Sequence, residues 1–117
     1  MTLEEKLVAL IRPICARVKP DFAPVNTERP YVTYQQVGGE VIDFVDNTVP
    51  TIENGEIQIN VWANTRSDAK SLIKQIEAEL IRTVEVQARP LSASVSDFDA
   101  DMEIYGSRQD FSIWSTR

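Results

Sequence analysis

The chain contains no histidine. This removes the commonest general base and the commonest metal ligand. Its single cysteine, Cys15, has no partner for an intrachain disulfide, which agrees with a reducing compartment. Lying on the apolar stripe of a helix with no histidine to activate it, Cys15 reads as a small core residue, not a nucleophile. There are four glycines, none spaced as a phosphate-cradling loop. No apolar run is long enough to span a bilayer and no signal peptide is visible, so a cytoplasmic protein is expected. Positive charge is scarce too. Twelve Lys and Arg stand against 18 Asp and Glu, a net charge of −6, which argues against a binder that works by neutralising nucleic-acid phosphates.

The bases are missing altogether from two stretches. One holds Glu40, Asp43, Asp46, Glu53 and Glu56; the other, between Pro90 and Ser107, holds Asp97, Asp99, Asp101 and Glu103. Asp97, Asp99 and Asp101 have the spacing that opens a calcium loop. The sixth position is Met102 where glycine is needed, and the twelfth is Arg108 where glutamate is needed. A solvated acidic connection is the plainer reading, and no catalytic residue, metal or cofactor is expected.

What is present suits one domain over residues 1–117 with a single core: 43% of the residues are hydrophobic, and there is no repeat or low-complexity tract. Leu3, Leu7, Leu10, Ile11, Ile14 and Val18 follow the helical period and predict a helix over 2–18. Thr2 and Glu5 are spaced as a capping box, and Pro13 is expected to kink or interrupt the helix. A second helix over 66–82 has Thr65 as its cap and Asp68 at the capping-box position. Its buried stripe is Ala69, Leu72, Ile73, Ile76 and Leu80 with Ile81 at its margin, and Lys70, Lys74 and Glu77 face water. Strands are predicted near 30–37, 56–64, 90–96 and 109–115. Gly38-Gly39 reads as a turn. Residues 40–55 read as a long excursion closing on the turn dipeptide Asn54-Gly55, with room for a short strand around "EVIDFV". The segment "DADMEIYGS" reads as an acidic connection. The element order is then αββαββ, an α+β fold with two helices on one face of a mostly antiparallel four-stranded sheet.

Alternation sets the faces of the strands. In "EIQINVWA", Ile57, Ile59 and Val61 oppose Gln58, Asn60 and Trp62. In "QDFSIWS", Phe111 and Ile113 oppose Asp110, Ser112 and Trp114. Both tryptophans of the chain thus fall on the polar face. Two accounts stand at this point. The excursion folds over them as a second small core, or Trp62, Trp114, Asn60 and Ser112 belong to an interface, where tryptophan is enriched.

"RPYVTYQQVGG", "IQINVWANTRSDAKSLIKQIEAEL" and "SRQDFSIW", taken in that order, resemble the tail completion, or tail terminator, proteins of long-tailed bacteriophages and prophages. The resemblance runs from the first helix onward. It implies a structural protein, not an enzyme. Such a protein forms a ring, usually a hexamer, that caps the finished tail tube, stops its polymerisation and offers a surface for head joining. The implied partners are further copies of the chain, the tail tube protein and a head-completion protein; DNA passes through ungripped, and no membrane is involved. The implied location is the bacterial cytoplasm during assembly and then the virion tail. An acidic loop carrying Glu40, Asp43, Asp46 and Glu53 would face the channel and repel phosphate. Two other classes fit the residues. One is a small α+β binding or regulatory module using the tryptophan-bearing face for a partner or metabolite. The other is an enzyme with carboxylates or a metal at Asp97–Asp101.

Overall fold

In the computed structural model, which describes residues 2–24 and 26–116, two helices pack on one face of a six-stranded mixed sheet. The elements in chain order are α1 (Leu3–Ile11), β1 (Val18–Pro20), β2 (Tyr31–Gly38), β3 (Ile52–Ala63), α2 (Arg66–Arg82), a 3-10 turn (Val84–Val86), β4 (Ala88–Pro90), β5 (Val95–Asp99) and β6 (Ile104–Thr116). The spatial order is β1-β2-β3-β6-β4, with β5 also pairing β6. The α+β class and the two helices agree with the sequence pattern; four antiparallel strands in the order αββαββ do not. The added strands are the short ones, β1, β4 and β5. β1 pairs parallel with β2, and the other pairings are antiparallel.

The first helix is shorter than its periodicity suggests. Thr2 caps it by accepting from the Glu5 N–H at 3.2 Å. Pro13 has no N–H for the carbonyl of residue 9, so the helix stops at Ile11, whose own carbonyl takes the N–H groups of Ile14 and Cys15. Val18, which continues the helical spacing in sequence, belongs to β1. The second helix follows the pattern at both ends. Thr65 caps it through the Asp68 N–H at 3.1 Å, and Thr83 ends it. Glu77 departs from the pattern because it turns inward to Gln109. Ile81 departs in the other direction and is 53% exposed.

Three readings of the later strands need correction. Asn54-Gly55 is not a turn: β3 begins at Ile52 and runs straight through it. The single strand expected over 90–96 is two strands, β4 and β5, placed end to end along the long β6. The acidic connection shrinks to residues 100–103, because Ile104–Ser107 already pair with β3 and β5.

The core lies between the helices and the sheet's inner face. Leu7 and Ile11 of α1 and Ile73, Ile76 and Leu80 of α2 meet Val32, Ile57, Ile59, Val61, Phe111 and Ile113, all essentially inaccessible, and Cys15 is buried among them. Leu72 packs at its margin. Each such side chain contributes roughly 1.5–3 kcal/mol relative to exposure. Gly55 lies on this face beside Leu3 at the start of α1, where an added Cβ would meet Leu3 Cδ2 at an ordinary contact distance of 3.5 Å. Gln109 is a buried polar side chain on the core face, with Ser107 and Ser115 on the same side of β6. Its Nε2 donates to Glu77 and to the Ser92 carbonyl, tying α2 to the segment between β4 and β5.

Candidate functional site: a polar sheet face and an exposed arm

The sheet's outer face is carried by its two long central strands. Along β3 and β6, outward residues pair across the ladder as Trp62 with Gly106, Asn60 with Arg108, Gln58 with Asp110, Glu56 with Ser112, and Asn54 with Trp114. Trp62, Asn60, Ser112 and Trp114 are all half-buried on this face. The two indoles do not meet. Eight ladder positions separate them, about 26 Å at ~3.3 Å per residue. The result is a polar strip with one tryptophan at each end.

The two ends differ. Trp62 lies across Gly106, where an added Cβ would sit 2.8 Å from the indole Cζ3, so glycine is needed under the ring. Its other cross-strand neighbour is Tyr31. Burial raises the Tyr31 phenol pKa; Arg29 partly offsets this and Asp99 adds to it. Trp114, at the opposite end, lines a small cleft with Ile52, Lys6, Glu85 and Gln87. Along the strip Asn60 Nδ2 reaches only the neighbouring Gln58 Oε1, at 3.5 Å, and Ser112 Oγ accepts from Asn54.

Residues 39–51 leave the sheet at the Trp114 end as an open arm without strand pairing, so the possible strand around "EVIDFV" does not form. The arm's root is fixed. Gly39 has φ 154°, and a Cβ there would run into the Asn54 carbonyl oxygen. The buried Asn54 side chain accepts from the Glu40 N–H at 2.9 Å and donates to Ser112 Oγ at 2.8 Å and to the Ile113 carbonyl. Beyond the root, a turn closes between Phe44 and Asn47 (Asn47 N–H to Phe44 O, 3.1 Å). Asp46 Oδ1 accepts from the Thr48 N–H. Val41 is 90% exposed, Val49 67%, and Phe44 and Val45 stand in solvent beside them. Glu40, Asp43, Asp46 and Glu53 are exposed as well.

The sequence pattern gives these apolar side chains a short strand or a second small core as their place, and the arm forms no strand. The segment behind that reading is "VIDFV", four apolar residues with nothing periodic around them to pack against. The second acidic segment folds on itself: Asp99 Oδ1 accepts from the N–H groups of Asp101 and Met102, and Asp97 Oδ1 from that of Phe98. Among the described residues no group of three or more acidic or thiol side chains is placed to hold a metal ion.

The family model described as tail completion protein gp17 matches residues 4–116, all but the ends of the chain. The chain belongs to that family. Membership gives it a structural role in phage tails. A chain of the solved structure "Virion of native gene transfer agent (GTA) particle" is similar in fold, with a TM-score of 0.53 at 11% identity, covering 93% of this chain and 86% of that one. No curated protein matches. The family's match takes in β2, β3, α2 and β6, the elements that carry the quoted segments, and also the arm.

Proposed function

We propose that the chain caps a finished phage tail tube as a six-subunit ring, stops tube polymerisation and presents a surface for head joining. The observation that carries this reading is the match of a tail completion family to residues 4–116 of a chain whose described residues form a single sheet-and-helix body. In this reading the polar strip is a contact surface, with Trp62 and Trp114 as its two anchors and Asn60 and Ser112 between them. Half-exposed indoles on a polar sheet face are the kind of side chain that dominates association energies. Glu40 and Asp46 of the arm, with Glu53 at the start of β3, face the passage and repel DNA phosphate, so DNA moves through without adhering. The role is mechanical, without a chemical step. It is exercised in the bacterial cytoplasm during assembly and afterwards in the virion.

The test uses Trp62→Ala and Trp114→Ala in cells that make the other tail proteins. Each indole is only half-buried, so truncation should cost roughly 1–2 kcal/mol of folding stability, below the ~3–5 kcal/mol of a core tryptophan. The loss in association should be larger, ~2 kcal/mol or more. Folded variants that yield overlong or headless tails support the reading. Tails of normal length, joined to heads and carrying either variant in normal amount, would refute the strip as a contact surface.

A further inference from the structure

The arm has a fixed root and an unpartnered tip. Val41 and Val45 are almost wholly in solvent and Phe44 and Val49 are about half or more exposed, although Gly39 and Asn54 hold the place where the arm leaves the sheet. Such a group of apolar side chains on a protruding segment marks a contact surface. The arm also has one sign of charge: residues 39–51 contain Glu40, Asp43 and Asp46 and no base.

The complementary surface is on the same chain. The outer ridge of α2 presents Lys70, Lys74 and Arg82 to solvent. The acids of this helix are otherwise occupied: Glu77 is bound to Gln109, Glu79 pairs with Arg82 at 3.4 Å, and Asp68 lies in the first turn at the positive end of the helix. Arg82 is thereby paired, and among the described residues Lys70 and Lys74 stand exposed without an ion pair, a local positive patch in a chain of net charge −6. Beside it runs an open cleft of about 380 Å³, lined by Ile14, Ser71, Lys74, Gln75 and Ala78 with the Glu79–Arg82 pair at its end.

We propose that the arm of one copy docks on the α2 ridge of a second copy, seating Phe44 and Val45 in the cleft between Ile14 and Ala78. Of the arm's acids, Asp43 lies beside Phe44 and turns to Lys74, while Glu40 and Asp46, with Glu53 of β3, stay toward the passage. Arm and ridge are different surfaces, so the contact is heterologous. Repeated from copy to copy it closes a ring when the rotation allows. Opposite charge on arm and ridge selects this pairing over arm against arm, which would bring like charges together. The inference rests on the ring reading above and supplies its subunit contact.

The experiment uses tails purified from producing cells that carry the Val45→Cys, Gln75→Cys double variant. The buried Cys15 leaves the two new thiols as the accessible pair. Oxidation should give a ladder of cross-linked chains, absent from either single variant. A monomer cross-linked within itself would overturn the proposal, because the arm would then fold back on its own α2. Multiple copies per tail end with no cross-link would overturn the arm contact and leave the ring standing. A single copy per tail would overturn both. Charge reversal gives an independent reading: Lys74→Glu or Asp43→Lys alone should lower the amount of chain on tails about 10-fold, and the two together should restore most of it. Failure of the pair to restore binding, with both single variants defective and folded, would count against the Asp43–Lys74 contact.

Discussion

The chain's two base-free acidic connections are alike in composition and opposite in structure. Between β5 and β6, residues 100–103 make a tight turn. Asp99 receives two N–H groups of the turn, and the Phe98 and Tyr105 rings pack at 4.8 Å across its base. Arg29, more than 70 positions earlier, donates to the Met102 carbonyl at 2.8 Å and the Glu103 carbonyl at 3.3 Å. Between β2 and β3, residues 39–51 have an ordered root and then no partner for their apolar side chains. A shortage of positive charge within a segment therefore does not make it loose. What matters is whether the rest of the fold supplies donors and apolar surface. The turn is completed inside the chain; the arm is left for something outside it.

The largest effect should come from the arm's root. Gly39→Ala places a Cβ against the Asn54 carbonyl at a φ that L-residues rarely adopt. Strain and overpacking together should cost about 3 kcal/mol in a denaturant titration. A cost below ~1 kcal/mol would mean that the root moves with the arm, and the contrast between fixed base and free tip would disappear.

Next comes the turn's remote support. Arg29→Ala removes donors to two turn carbonyls and to Asn64 Oδ1. These bonds are exposed, so about 1 kcal/mol is expected, with faster amide exchange at residues 101–103. Unchanged exchange there would show that Asp99 alone holds the turn and that the two acidic segments differ only by local chemistry.

The same contrast explains what was legible in the sequence. The bounds of α2 are carried by local signals, a Thr65 cap and an unbroken apolar stripe, and the structure keeps them. Trp62 and Trp114 fall on the face that alternation gives them. Asn54-Gly55 misleads because the dipeptide's turn preference is local, while its use here is tertiary: Asn54 latches the arm to β6, and Gly55 is an inward-facing strand residue beside Leu3. Gly106 misleads in the same way, since it is a strand residue beneath the Trp62 ring. β1 is hidden because Val18 prolongs a helical spacing that Pro13 has already ended. The arm's apolar side chains carry no sustained period, and the short strand they suggest does not form.

A smaller effect separates tip from root. Phe44→Ser with Val45→Ser replaces two solvent-facing side chains and should change folding stability by no more than about 0.5 kcal/mol. Amides of residues 41–49 should exchange far faster than those of α2 in the isolated chain, because the arm has no ladder to protect them. Destabilisation above ~1 kcal/mol, or exchange as slow as in α2, would mean that the arm packs on its own body in solution.

The smallest effect lies within the arm. The Asp46 carboxyl is held below its ordinary value of 3.8 by hydrogen bonds from the Thr48 hydroxyl and the Thr48 backbone N–H. A carboxylate whose folded pKa is lowered contributes stability above its unfolded pKa and loses it as pH falls through the folded value. The turn at the arm's tip should therefore loosen only below about pH 4, with little change in global stability because Asp46 is fully exposed. Thr48→Ala removes the hydroxyl and keeps the N–H, so a carboxyl titration followed by NMR should show the Asp46 pKa rising part of the way back. An unshifted Asp46 in the parent chain would mean that the Thr48 bonds do not persist in solution, and that the tip is as unstructured as its lack of tertiary contacts allows.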